Sequence, residues 1–237
     1  MQTRSLLQEE LNKLRRELTL MNAMVVENIG KAITILKTGD EELADDVKKS
    51  GKIIDEMQLK IDDMGLALIA TQQPVARDLR ELVAIFKITL SLERIDDYAI
   101  HLAKAAIKLS SRPSIRSMER IKRMAEIGQT MLIAAFSAYM AQDNDSAREA
   151  AAMDDRIDTE HKALTEEVLA FIKENRKRVK AAARLLRLSG YMERLGDHIT
   201  NICEGIVFMN MGNHEKLNPI RIETKNQRPR RRGKNGN

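Results

Sequence analysis

Apolar residues recur every three or four positions along most of the chain, and this periodicity constrains the fold more than any other feature. The first stripe is interrupted only by Asn28 and consists of Leu7, Leu11, Leu14, Leu18, Met21, Val25, Ala32 and Ile35. Side chains at this spacing lie on one face of an α-helix. Long helices are compatible with residues 1–211, because only two prolines, Pro74 and Pro113, occur there. The pattern predicts an all-α protein.

Helix-ending residues divide the stripes into six predicted helices. The breaks fall at 39–40, 72–73, 110–113, 143–145 and 175–176. Gly, Pro, Asn and Asp at such places begin or end helices. Short connections between long helices make neighbouring helices antiparallel. We therefore predict two antiparallel three-helix bundles, at residues 1–112 and 113–211, followed by a flexible tail at 212–237.

The two predicted bundles are related by an internal duplication. Residues 92–97 (LERIDD) match residues 192–197 (MERLGD), which lie 100 positions later. Ile54-Asp55 matches Ile157-Asp158, which lies 103 positions later. Self-similarity at a fixed separation is typical of a repeated structural unit.

The positive net charge resides in the C-terminal segment. Residues 212–237 carry +6, whereas the whole chain carries +5, so the body is close to neutral. A domain that binds nucleic acid needs a basic face of its own, and this body is not expected to bind it. The tail arginines are candidates for contact with an anionic partner: Arg228, Arg230, Arg231 and Arg232. A nucleic-acid-binding adaptor that acts through this tail stays open as an alternative.

The remaining composition indicates a cytoplasmic protein. Cys203 is the one cysteine, so an internal disulfide is excluded. No apolar run reaches the roughly 18 residues of a transmembrane helix. The N-terminal residues lead directly into charged residues, without the apolar segment of a signal peptide. We expect Cys203 to be a small core residue rather than a nucleophile.

Two pairs of carboxylates occupy matching places in the repeat: Glu93 and Asp97, and Glu193 and Asp197. Residues four apart lie one turn apart on the same face of a helix. Both glutamates fall on apolar stripes, where buried like charges must be neutralised by a proton, an arginine or a metal ion. Neutralisation by arginine stays open as the structural alternative, with four candidates: Arg80, Arg94, Arg187 and Arg194.

Neighbouring helices supply further donors for a metal site. Two matching faces carry them: Asp55, Gln58 and Asp62 in the second helix, and Asp158, His161 and Thr165 in the fifth. Oxygen donors with one histidine suit iron, manganese, magnesium or zinc. A hydrogen-bonded core histidine is the alternative for His161. A ferritin-type di-iron site is disfavoured, because no histidine has a glutamate three residues before it. Another metal-dependent enzyme stays open.

Four segments resemble the PhoU family, whose members regulate phosphate uptake in bacteria and archaea. They are residues 39–44 (GDEELA), 72–80 (QQPVARDLR), 92–99 (LERIDDYA) and 192–204 (MERLGDHITNICE). The last segment is long and specific, and the resemblance covers about residues 5–211. Asp96 departs from the pattern, because the family usually has glycine there.

This resemblance implies two three-helix bundles with pseudo-twofold symmetry and metal clusters on the Glu-x-x-x-Asp motifs. The first-choice ligands that it implies are Glu93, Asp97, Glu193 and Asp197. Asp55, Asp62 and Asp158 rank second. Gln58 and Thr165 stand where many members have an acid. The implied metal is iron, zinc, manganese or magnesium.

The resemblance also implies a regulator without enzyme activity. Such a protein would connect the ATPase subunit of a phosphate ABC transporter to a PhoR-type sensor kinase. It would damp phosphate-starvation signalling and uptake when phosphate is plentiful. We expect a homodimer that works next to the membrane, where the basic tail would add attraction to anionic lipid headgroups.

Overall fold

A computed structural model describes residues 2–109, 115–174 and 179–218. Seven helices and no strand occur in these residues: α1 (Gln2–Thr38), α2 (Glu41–Gln72), α3 (Ala76–Leu109), α4 (Ile115–Ala141), α5 (Asn144–Ala152), α6 (Asp154–Glu174) and α7 (Val179–Met211). The predicted all-α class is confirmed. The predicted breaks after α1 and α4 coincide with observed helix ends.

Contacts between helices define two up-down-up bundles. In the first, α2 runs antiparallel to α3, because Gly51 approaches Ile100 whereas Gly65 approaches Phe86. In the second, α4, α6 and α7 repeat this arrangement, and short α5 lies against α4 and α7. The apolar stripes of both bundles join in one hydrophobic core.

The two bundles meet along α3 and α7, which run antiparallel and make the most extensive helix contact in the described chain. Tyr98 of α3 stacks on Tyr191 of α7, with ring centroids 5.8 Å apart. A second contact joins α1 to α4, where Gln129 Nε2 donates to the carbonyl oxygen of Val26 at 2.9 Å. The candidate acidic motifs therefore lie on the two helices at the centre of the molecule.

Local sequence explains the helix boundaries. Gly39 follows α1 with φ of 67°, a left-handed conformation that glycine adopts without steric penalty. Asp40 then caps α2, since its side chain accepts a hydrogen bond from the Leu43 amide at 3.0 Å. Asp143 caps α5 in the same way, accepting from the amides of Asp145 and Ser146.

The prediction of six helices is wrong in one place. The predicted fifth helix is divided at Met153 into α5 and α6. The Met153 amide bonds to the Ala150 carbonyl, and the Arg156 amide bonds to the Met153 carbonyl. These three-residue steps interrupt the α-helical ladder. The Asp154 side chain is fully buried directly after this break.

At one matching layer of the two bundles, a glycine of one helix packs against an aspartate of its neighbour. The helix that supplies the aspartate differs between the bundles. In the first bundle, a Cβ at Gly51 of α2 would contact Ile100 and lie 3.0 Å from Asp96 Oδ2 of α3. In the second, a Cβ at Gly196 of α7 would collide with Asp154 Oδ1 of α6. The repeat pairs Gly51 with Asp154 and Asp96 with Gly196. Each bundle thus holds one carboxylate against one bare backbone, contributed by opposite helices.

The first residues of the predicted tail lie against the body. Glu204 accepts a hydrogen bond from the Leu217 amide at 3.2 Å, and Asn218 Nδ2 donates to Asp154 Oδ2 at 2.8 Å. The tail arginines named above lie outside the described residues: Arg228, Arg230, Arg231 and Arg232. Among the described helices, none combines the length and apolar character that crossing a membrane requires.

Candidate metal-binding faces

The first acidic face lies where α2 packs on α3, and Glu93 is its most buried predicted ligand. Its side chain is 16% exposed. Its Oε2 atom is buried and accepts no hydrogen bond from the described residues. Burial raises the pKa of Glu93, Arg94 opposes this rise, and the charges of Asp97 and Asp55 add to it. A carboxylate in this environment gains stability from a proton or a cation.

Arginine supplies part of that positive charge. Arg94 Nε lies 3.2 Å from Glu93 Oε2, without the geometry of a hydrogen bond, and Arg94 Nη1 lies 3.6 Å from Asp97 Oδ2. Pairing of these carboxylates with an arginine, the alternative to a metal ion that the sequence left open, therefore occurs in the first bundle. Arg94 and Asp97 are about half exposed, so solvent screens these interactions.

On α2, the helix that faces these residues, Gln58 Nε2 donates a hydrogen bond to Asp62 Oδ2 at 3.1 Å. Burial raises the pKa of Asp62, and this hydrogen bond opposes the rise. The glutamine thus stabilises the charged carboxylate by a hydrogen bond, without supplying the positive charge that a cation would provide. Asp55 is exposed on the same helix.

The second acidic face lies where α6 packs on α7. His161 Nδ1 shares a hydrogen bond with Ser189 Oγ at 2.7 Å, and Nε2 lies 3.9 Å from Glu193 Oε2. The first contact matches the predicted core histidine, whereas the second directs the other ring nitrogen to a predicted ligand. Asp158 and Asp197 are half-buried on these two helices.

The predicted ligands occur as close pairs rather than as a preassembled cluster. Within residues 2–109, 115–174 and 179–218, no group of three or more His, Cys, Asp or Glu side chains is arranged to hold a metal ion. The chemistry of the donors fits a hard or borderline cation in both faces. The buried, unsatisfied Glu93 Oε2 is the observation that favours a cation in the first face. Metal binding stays a prediction.

Asp96 is a residue whose role sequence reasoning missed. It is 2% exposed, and Asn28 Nδ2 donates to its Oδ1 at 2.7 Å. Burial raises the pKa of Asp96 to about 7, the Asn28 hydrogen bond lowers it, and neighbouring acids raise it. The signal was available, because Asn28 alone interrupts the first apolar stripe.

A second missed feature is an ion pair between half-buried Arg15 and buried Glu81, which joins α1 to α3. Glu81 is 4% exposed and accepts two hydrogen bonds from Arg15, at 2.5 and 2.7 Å. The phenol of Tyr139 from α4 lies near them and is itself buried. No motif marks this cluster, because Glu81 looks like an ordinary helix-surface acid in the sequence.

Two similar helical bundles, each carrying a Glu-x-x-x-Asp pair on its last helix, define a duplicated helical protein with acidic faces. The family model for the PhoU domain matches the chain twice, over residues 18–106 and 121–206. One match falls in each bundle, which agrees with the internal repeat. The chain belongs to the PhoU family.

Similar proteins cover nearly the whole chain. A phosphate-specific transport system accessory protein PhoU homolog of Clostridium acetobutylicum is 33% identical over 217 residues, which is 91% of this chain and 99% of the relative. The homolog from Caulobacter vibrioides is 33% identical over 84% of this chain and 87% of its own length. The crystal structure of PhoU from Pseudomonas aeruginosa matches with a TM-score of 0.82 at 29% identity, covering 87% of this chain and 99% of that one.

Proposed function

We propose that this protein is a non-enzymatic accessory regulator of phosphate uptake and phosphate-starvation signalling. Relatives that cover almost the whole chain bear the name of phosphate transport accessory proteins, and this similarity carries the proposal. The expected partners are the ATPase subunit of a phosphate ABC transporter and a PhoR-type sensor kinase. The protein works beside the cytoplasmic face of the membrane as a homodimer.

The acidic faces are the proposed functional surfaces. In the first, Glu93 and Asp97 would hold a metal with Asp55 and Asp62. In the second, the metal would be held by Glu193, Asp197, Asp158 and His161. Iron, zinc, manganese or magnesium would supply positive charge that removes the repulsion between these carboxylates. The helices that carry them are packed in the core, so both faces keep a fixed shape for docking.

Phosphate uptake by cells tests the regulatory function. We expect cells that lack this protein to continue rapid uptake in phosphate-rich medium. The wild-type gene should restore repression, and Glu93→Ala/Glu193→Ala should not. Glu42→Ala/Glu149→Ala is the matched control, because both glutamates are exposed and lie outside the acidic faces. Normal repression in cells without the protein would refute the function.

Elemental analysis of purified protein tests the metal separately. Wild-type protein should contain metal that survives dialysis, and Glu93→Ala/Glu193→Ala protein should contain much less. The Glu42→Ala/Glu149→Ala control should match the wild type. Equal metal content in all three proteins would exclude these two glutamates as ligands.

In this proposal the basic tail contributes to membrane binding, separately from the acidic faces. Arg228, Arg230, Arg231 and Arg232 would add electrostatic attraction to anionic lipids, at about 1 kcal/mol for each basic residue near the surface. Since residues 212–218 contact the body, a deletion should begin at residue 219. Such a truncated protein should bind less to phosphatidylglycerol vesicles, as measured by co-sedimentation.

A further inference from the structure

A basic groove lies at one end of the contact between α3 and α7. Its charged walls are formed by Lys104, Lys108, Arg184 and Arg187. The remainder of the lining consists of His101, Ala105, Leu188 and Tyr191, and the cavity measures about 360 Å³. We call this set the basic groove. It lies beyond the acidic motifs along both helices and contains none of the predicted metal ligands.

The basic groove is unusually free of acidic neighbours along its own helices. Residues 98–109 and 179–191 contain five lysines and arginines and no aspartate or glutamate. The four basic residues of the groove take no part in the ion pairs found among the described residues. Because residues 1–211 are close to neutral overall, this positive charge is a local concentration rather than a property of the whole body.

The spacing of these cations is unfavourable without an anion. Lys104 and Lys108 lie one turn apart on α3, and Arg184 and Arg187 lie one turn apart on α7. Like charges at these spacings repel each other, and here two such pairs face one cavity. An anion between the helices would convert this repulsion into attraction.

A ring stack gives the basic groove a rigid wall. The rings of His101 and Tyr191 stack with centroids 4.8 Å apart and planes inclined by 17°. Tyr98 also stacks on Tyr191, with ring centroids 5.8 Å apart. The four basic side chains are exposed, but they extend from long packed helices, so the spacing of their backbone positions is set before a ligand arrives.

The number and type of cations indicate the ligand. Guanidinium groups bind carboxylate and phosphate oxygens in pairs, and ammonium groups bind phosphate as point charges. A single carboxylate would leave most of the positive charge uncompensated, whereas linked phosphates carry several negative charges in a compact volume. The cavity has the size of a small-molecule site. We propose that the basic groove binds a soluble oligophosphate anion.

Isothermal titration calorimetry with tripolyphosphate tests this proposal. The full-length protein is first freed of metal with EDTA and dialysed into low-salt buffer. Tripolyphosphate should bind with one site per chain and more tightly than orthophosphate or citrate. Lys104→Gln/Lys108→Gln and Arg184→Gln/Arg187→Gln should each weaken binding at least about tenfold, because each removes two charge-assisted contacts.

Lys48→Gln/Lys52→Gln is the matched control, since it removes two exposed lysines at the same spacing on α2. It should bind tripolyphosphate as the wild type does. The proposal is overturned if tripolyphosphate does not bind, or if the control loses as much affinity as the groove variants. It is also overturned if the groove substitutions weaken binding to phosphatidylglycerol vesicles but not to tripolyphosphate, which would assign the groove to a lipid surface. Metal loss in Glu93→Ala/Glu193→Ala would leave this result unchanged.

Discussion

At the residue scale, burial decides the chemistry of the polar side chains. Asp96 and Cys203 are both buried on the central helices, and burial disfavours the charged form of each. The result differs because their ordinary pKa values differ. Asp96 titrates near neutrality, whereas Cys203 stays protonated throughout the physiological range.

Asp96 should make the stability of metal-free protein depend on pH. Its folded-state pKa is about 7, above the ordinary value of 3.8, so folding favours the protonated carboxyl. The stabilisation is complete below about pH 4 and is lost as the pH rises through 7. Asp96→Asn should flatten this decline because an amide does not titrate, and its oxygen can still accept the hydrogen bond from Asn28. Urea denaturation of EDTA-treated protein at several pH values measures the effect. An equally steep decline in the variant would contradict it.

Cys203 should be unreactive in the folded protein. Burial raises the pKa of its thiol to about 12, and the side chain is inaccessible. A thiol reagent such as DTNB should therefore react only after addition of denaturant, with one thiol per chain. Rapid reaction of native protein at pH 8 would show that α7 opens locally.

At the element scale, the packing of helices depends on a few small or polar residues. The exchange of Gly51 and Asp96 for Asp154 and Gly196 shows that each bundle accommodates one carboxylate at this level. The repeat aligns these glycines and aspartates in the sequence. It does not show that they contact each other, because that depends on the relative rotation of the two helices. The ion pair of Arg15 with buried Glu81 could not be predicted from the sequence for the same reason.

Exchanging the two residues of the first bundle tests this packing rule. Gly51→Asp alone should destabilise by about 3 kcal/mol, because it overpacks the interface and buries a second carboxylate beside Asp96. Gly51→Asp/Asp96→Gly restores the pattern of the second bundle and should recover at least about 1 kcal/mol. Gly190→Asp, where a Cβ would meet nothing within 4 Å, is the control. Strict additivity of the two substitutions would refute the rule.

Glu81 should contribute more to stability than an exposed glutamate in an ion pair. Glu81→Gln weakens a partly buried pair and leaves Arg15 incompletely compensated, so we expect a loss of about 1–3 kcal/mol. Glu17→Gln removes a more exposed pair with Lys60 and should cost less than about 1 kcal/mol. Chemical denaturation of both variants measures the difference. Similar losses would mean that burial does not strengthen the Arg15–Glu81 pair.

At the scale of the whole molecule, the apolar stripes and the repeat were sufficient to predict an all-helical, duplicated fold. The division at Met153 was not predicted, because alanine-rich periodicity continues through it and Asp154 looks like a surface acid. The two Glu-x-x-x-Asp motifs lie on α3 and α7, in helices that the sequence predicted, whereas their role as metal ligands stays a prediction. The basic groove was not found, because its two halves lie about 80 residues apart and meet only when α3 packs against α7.

Direct binding to a phosphate transporter tests the central claim of an accessory regulator with acidic docking faces. Purified protein should bind the detergent-solubilised phosphate ABC transporter of the same cell through its ATPase subunit, as measured by surface plasmon resonance. Glu93→Ala/Glu193→Ala should bind at least about tenfold more weakly, whereas Glu42→Ala/Glu149→Ala should bind like the wild type. Absence of binding by metal-loaded wild-type protein, or equal binding by all three proteins, would contradict the account.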